Sequence, residues 1–177
     1  MQNLKTRKLN RLKDYDYSLE GYYFVTICSR NREIIFGEYT NNVGTALAAV
    51  RNNIKLTKLG QIIDSQWNDL PNQYKNIELD QYIIMPNHLH GILIINKRTG
   101  ASPVPTISNI IGSLKSKISV EYLQYINNEN LNVCGQIWQR SFHDHIIRND
   151  KSLNKIRNYI TTNPENWEND IDNLINL

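Results

Sequence analysis

The predicted elements run strand, helix, strand, strand, helix, strand, helix, which is the order of an α+β fold with a ferredoxin-like antiparallel sheet. Two observations carry that reading. Short runs of β-branched and aromatic residues alternate with longer segments whose apolar residues recur at helical spacing. The strand runs also fall in two halves, each built around one helix. Helices are expected on one face of the sheet, with a further helix near the C-terminus. Element order leaves the strand pairing open.

Tyr22-Tyr23-Phe24-Val25-Thr26-Ile27-Cys28 is a strand by β-propensity alone. The stretch from Gly37 to Asn53 shows no clear period, and its small-residue run Val43–Val50 reads as a surface insertion. Leu59, Ile62, Ile63, Trp67 and Leu70 form a helical stripe, with Pro71 expected to stop the helix. Ile77–Ile84 is the next strand. Met85-Pro86-Asn87 turns the chain into His88-Leu89-His90-Gly91-Ile92-Leu93-Ile94-Ile95, a second apolar strand. Residues 96–105 form a loop by their Gly and Pro content. Ile107, Ile110, Ile111, Leu114, Ile118, Tyr122 and Tyr125 make the stripe of a second long helix, with Lys115 and Lys117 off it. Ile137–Arg148 carries the last strand signal. Asn149 or Asp150 can cap a final helix whose core stripe is Leu153, Ile156 and Ile160. Asn163-Pro164 ends or kinks it, and Trp167, Ile171, Leu174 and Leu177 suggest a docked C-terminal segment.

At 177 residues the chain fits one domain with a sizeable core. No apolar run is long enough to span a bilayer, and the polar, basic N-terminus lacks the apolar region of a signal peptide. Cys28 and Cys134 make no disulfide framework, so a cytoplasmic protein with free thiols is expected. The net charge of +3 is unevenly spread. Lys5, Arg7, Lys8, Arg11 and Lys13 precede the first acid, Asp14. This divides the chain into a basic arm, residues 1–13, and one domain, residues 14–177. A basic arm on a neutral body suggests contact with phosphates.

The histidines are the first candidates for chemistry. Alternation along a strand puts His88 and His90 on one face, about 6–7 Å apart, where both imidazoles can converge on one divalent ion. An isolated His-x-His at a strand end is more often a pair of partly exposed side chains. His143 and His145 form a second such pair, with Asp144 rather than a hydrophobe between them. Tyr159 lies beside the apolar stripe of the last helix, and Asn163, four residues on, shares its face.

Taken together, these pieces resemble a known family. Pro86-Asn87-His88-Leu89-His90-Gly91 is similar to the His-hydrophobe-His motif of the HUH nucleases. The segment from Ile137 to Arg148, followed by Tyr159-Ile160-Thr161-Thr162-Asn163-Pro164, resembles the other half of a single-tyrosine transposase domain. Tyr15-Asp16-Tyr17-Ser18 with Tyr22–Cys28 resembles the REP-associated tyrosine transposases, a domesticated branch. The likeness runs from about Arg11 to Trp167. It implies metal-dependent cleavage and strand transfer of single-stranded or hairpin DNA through a 5′-phosphotyrosine. Tyr159 would be the nucleophile, with His88, His90 and Asn163 as metal ligands. Donor softness alone would suit zinc or manganese; the resemblance implies Mg²⁺ or Mn²⁺.

Arg7, Lys8, Arg11, Lys115, Lys117, Arg140 and Arg148, together with Arg30 and Arg32, are the basic residues suited to DNA phosphates. The resemblance leaves open a homodimer exchanging the tyrosine helix or a monomer, and places the protein at the nucleoid when DNA-bound. Three rivals remain: a non-catalytic single-stranded nucleic-acid-binding module using the same sheet, a replication or mobilisation initiator of the same class, and a metal hydrolase using water.

Overall fold

The computed structural model describes residues 16–40, 54–97 and 105–169. The basic arm with Arg7, Lys8 and Arg11, the insertion at 43–51, most of the 96–105 loop and the tail beyond Asn169 lie outside the described residues. Four strands form the main sheet: β1 (Gly21–Cys28), β4 (Ile77–Ile84), β5 (His88–Ile95) and β6 (His143–Ile147). Their spatial order is β4-β5-β1-β6, with every neighbouring pair antiparallel. This is the ferredoxin-like pairing that element order had left open. A separate two-stranded ribbon, β2 (Gly37–Tyr39) with β3 (Ile54–Leu56), stands beside it.

Helices α1 (Lys58–Asn68) and α3 (Ile107–Asn128) cover one face of the sheet. Tyr23, Val25 and Ile27 of β1 and Leu89, Leu93 and Ile95 of β5 pack there against Leu59, Ile63, Ile110, Ile111, Leu114 and Ile118. Each such side chain withdrawn from water contributes about 1.5–3 kcal/mol. Gly91 belongs to this face: a Cβ there would meet the Trp67 ring at 2.3 Å, so only glycine lets the indole lie against β5. Threonines cap both helices, Thr57 accepting from Gly60 N and Thr106 from Asn109 N.

The opposite face carries α4 (Asp150–Thr162), capped by Asn149, whose side chain accepts from Ser152 N. Leu153 and Ile160 of α4 bury against Ile92 and Ile147, with Tyr22, Phe24, Ile83 and Ile156 around them. Polar ties fix the position of this helix. The Arg157 guanidinium grips the Asp80 carboxylate, with Nε at 3.1 and 3.2 Å from the two oxygens. Thr161 Oγ1 donates to Gln81 Oε1 at 2.9 Å. Asp80 and Gln81 sit where the β4–β5 register slips between Leu79 and Tyr82, and that irregularity faces them toward α4.

Three expectations need correction. Pro71 does not simply stop the first helix. The chain resumes in α2 (Leu70–Gln73), and Pro71 occupies its first turn, where no amide hydrogen is needed. The expected strand from Ile137 to Arg148 is two pieces. Trp138 makes an isolated bridge to Ser29, residues 140–142 are irregular, and β6 begins only at His143. The aperiodic region after Gly37 contains β2 and leads into β3, each only three residues long and too short to show a period.

Candidate active site

His88 and His90 open β5 at the end of the sheet nearest the Met85-Pro86-Asn87 turn. Backbone bonds pin that turn: Met85 N to His88 O, Ser29 N to Asn87 O, and Phe36 N to Pro86 O. The two imidazoles lie on the α4 face, as alternation requires, with ring centroids 4.3 Å apart. Both are buried. Tyr159, on α4, brings its hydroxyl to 3.1 Å from His90 Nε2, across 69 residues of sequence. Phe24 lies beneath this contact, 5.3 Å from the His90 ring and edge-on to Tyr159 at 6.2 Å.

Each imidazole is oriented by a neighbour. Thr26, the cross-strand partner of His90, holds its Nδ1 at 2.9 Å through Oγ1. Asn87 Nδ2 donates to Arg32 O at 3.0 Å, so its Oδ1 faces His88 Nδ1 at 2.8 Å and accepts a hydrogen there. That fixes the His88 tautomer and leaves the lone pair on Nε2. His88 Nε2 is buried and has no hydrogen-bond partner among the described residues. Burial, with the Arg32 charge adding to it, pushes the His88 imidazole down to about 3. It is therefore neutral and able to donate its lone pair at any physiological pH.

Asn163, at the C-terminal end of α4, is 2% exposed. A 3-10 segment (Asn163–Asn169) follows, and its Trp167 packs 6.2 Å from the His88 ring. Among the described residues no group of three His, Cys, Asp or Glu side chains comes together. A cation here would thus be held by the two imidazoles and a neutral amide such as Asn163. The donor set fits one: His88 presents a fixed, neutral, buried nitrogen with no competing hydrogen bond, as a preformed ligand does.

Beside the imidazoles opens a cavity of about 420 Å³ lined by Phe24, Thr26, Arg32, His90, His143 and Tyr159, with Gln139 and Phe142 at its rim. Arg32 reaches it from a tight 3-10 turn, Arg30–Arg32, in which Asn31 (φ 51°) and Arg32 (φ 57°) are both left-handed. For a residue with a Cβ that conformation costs about 1–2 kcal/mol, less for asparagine.

The remaining basic candidates are scattered. Lys115 is half-buried; its Nζ donates to Gln139 O at 2.6 Å and lies over the Trp138 ring, and burial lowers its pKa. Lys117 is exposed on α3. Arg140 is exposed in the irregular segment before β6, and Arg148 is exposed at the opposite end of that strand from His143. His143 and His145 share the face of His88 and His90 but are both exposed. Sequence reasoning missed Thr26 and Asn87 as orienting groups. Asn87 adjoins His88, yet nothing in its spacing shows which atom it addresses.

This ferredoxin-like domain, with two buried imidazoles set beneath a helical tyrosine, has known relatives. Residues 16–163 match the IS200-like transposases, and the chain belongs to that family. An uncharacterized protein of Haemophilus influenzae is 35% identical over 178 residues, covering 93% of this chain and 91% of its own. A solved REP-associated tyrosine transposase bound to a REP hairpin shares the fold, with a TM-score of 0.52 and 20% identity over 89% of this chain and 74% of that one. Among the described residues no helix is long and apolar enough to cross a membrane.

Proposed function

We propose that this protein cleaves and rejoins single-stranded DNA flanking a hairpin, as a REP-associated type of tyrosine transposase. The observation that carries the reading is the Tyr159 hydroxyl 3.1 Å from His90 Nε2, beside the buried nitrogen of His88. Tyr159 is the nucleophile. Its oxygen attacks phosphorus, the bond to the 3′-oxygen breaks, and that oxygen leaves as a 3′-hydroxyl after taking a proton. The product is a 5′-phosphotyrosine. In the second half, a 3′-hydroxyl attacks the phosphotyrosine and the phenol is released, so no nucleotide cofactor is consumed.

His88, His90 and Asn163 would hold a divalent cation, Mg²⁺ or Mn²⁺. When bound, it offsets charge on the non-bridging phosphate oxygens and lowers the barrier to attack by a phenol whose ordinary pKa is about 10. Asn87 and Thr26 keep the imidazoles aimed. Phe24 and the ties from Arg157 and Thr161 hold the tyrosine helix over the sheet. The Tyr159 hydroxyl stands 3.1 Å from His90 Nε2, so the nucleophile is held beside the imidazoles that would hold the cation.

The non-catalytic binding module is the weaker reading, because the sheet face that would stack bases carries α4, which packs on Phe24 and Tyr22. Tyr159 and both imidazoles meet within one chain. The test is incubation with labelled hairpin DNA and Mn²⁺, followed by denaturing electrophoresis for a covalent adduct. Wild type should form it. Tyr159→Phe should lose it entirely while binding Mn²⁺ at least as tightly. An adduct that persists in Tyr159→Phe refutes the nucleophile. Mixing Tyr159→Phe with His88→Ala should restore nothing; recovered activity would show tyrosines exchanged in a homodimer.

A further inference from the structure

We infer that Arg32 binds the scissile phosphate itself, and that the strained turn before it exists to aim the guanidinium into the cleavage cavity. The inference rests on the reading above and adds a substrate contact to it. Two observations converge. Arg32 lines the same cavity of about 420 Å³ as Tyr159 and His90. Its backbone is held at φ 57°, directly after Asn31 at φ 51°.

A long β-carbon-bearing side chain in the left-handed region is an unfavourable choice where glycine would serve, and such outliers persist where the side chain or its placement is needed. The turn is locked from three sides. Ser29 Oγ donates to Glu33 O at 2.7 Å, Glu33 N donates to Arg30 O at 3.0 Å, and Asn87 Nδ2 donates to Arg32 O at 3.0 Å. The last of these joins the turn to the His88 imidazole through a single asparagine. One side chain thus sets both the tautomer of a candidate metal ligand and the origin of the cation that faces the substrate. An arginine fork can bridge two non-bridging oxygens of a phosphodiester and so complement a metal ion on the same group.

Neighbouring basic residues do not offer the same placement. Arg30 and Lys115 do not line this cavity. His143 lines the cavity, but from the exposed edge strand.

Arg32→Gly is the decisive variant, because glycine keeps the positive φ and the carbonyl that Asn87 holds while removing the side chain with its guanidinium. It should remain folded and bind Mn²⁺ within about three-fold of wild type. Adduct formation on a phosphodiester hairpin should fall by about 100-fold or more. On a substrate carrying a neutral methylphosphonate at the scissile linkage, the two proteins should react within about three-fold of each other. Arg32→Lys should recover part of the phosphodiester rate, since it restores charge without the fork. A phosphodiester rate for Arg32→Gly within about three-fold of wild type overturns the inference, as does an equal loss on the neutral linkage. Metal-free binding of the hairpin separates this outcome from failure of the function itself. If wild type binds but makes no adduct, the cleavage reading falls. Arg32 then stands as a phosphate contact in this cavity if Arg32→Gly lowers the salt slope by about one, and falls if the slope is unchanged.

Discussion

Two His-x-His pairs stand on the same face of one sheet, on the strands that flank β1, and they meet opposite environments. Thr26 faces both: its cross-strand partner is His90 on β5 and His143 on β6. His88 and His90 are 0% and 2% exposed, whereas His143 and His145 lie open on an edge strand. The difference is not the histidine spacing, which is identical. β5 is an inner strand lying under the tyrosine helix and its 3-10 extension, and neighbours fix its imidazoles at defined atoms. Burial and orientation, rather than the motif, separate a fixed pair of imidazoles from a solvated one.

The largest effect should come from exchanging the pairs as targets. His88→Ala removes a buried donor with a fixed tautomer. Mn²⁺ affinity and adduct formation should each fall by about 100-fold or more. His143→Ala should change metal affinity by less than about three-fold. Calorimetric titration with Mn²⁺ checks both, and the reverse ranking would move the cation to β6.

Acid titration gives the next contrast. The His88 imidazole, ordinarily near 6.5, is held down to about 3 by burial, so the unfolded chain takes up its proton first as pH falls. Stability contributed by the neutral ring is complete above pH 6.5 and is lost on going down toward pH 3. Two pH units, from 6.5 to 4.5, should lower unfolding free energy by about 2–3 kcal/mol. Asp80, which the hydrogen bonds from Arg157 hold below the usual carboxylate range, loses its contribution only at lower pH, as it protonates. Denaturant unfolding at both pH values is the measurement. His88→Gln should flatten this limb.

Asn87 then tests whether orientation matters as well as burial. Asn87→Ala frees the His88 tautomer and strands both Nδ1 and the Arg32 carbonyl. Metal affinity should fall by about 10–100-fold, and stability by about 1–3 kcal/mol. A loss of stability with unchanged affinity would reduce Asn87 to a structural brace for the turn.

Legibility from sequence follows the same division between local and non-local causes. β1, β4 and β5 could be read because runs such as Tyr23-Phe24-Val25 and Ile92-Leu93-Ile94-Ile95 exceed what a helix or loop would tolerate. α3 declared itself by its stripe, and α4 by stripe and cap. Ile137–Arg148 misled because Ile137, Trp138, Ile146 and Ile147 are all strand formers. What divides them is that residues 137–139 pair with the end of β1 while residues 140–142 leave the sheet, a tertiary choice. The Tyr159–His90 contact depends on Arg157 reaching Asp80 at the β4 irregularity, and no periodicity encodes that docking. The histidines could be nominated from alternation. Their orientation by Thr26 and Asn87, and the left-handed turn at Arg32, needed the assembled sheet.

The finest test uses the one side chain common to both pairs. Thr26 is buried, and its hydroxyl holds His90 Nδ1 at 2.9 Å. Thr26→Val replaces that hydroxyl with a methyl of nearly the same shape on a central strand that favours β-branched residues, so stability should change by no more than about 1 kcal/mol. The imidazole loses its orienting partner but stays confined between Phe24, His88 and Tyr159, so Mn²⁺ affinity should fall by about 5–10-fold, at the low end of what an outer partner contributes. Nitrogen-15 spectra of the histidines should show His90 redistributing between tautomers, while the signals of His143, opposite the same residue, stay in place. If both histidines respond alike, Thr26 acts through the strand rather than through its hydroxyl, and the contrast between the pairs reduces to burial alone.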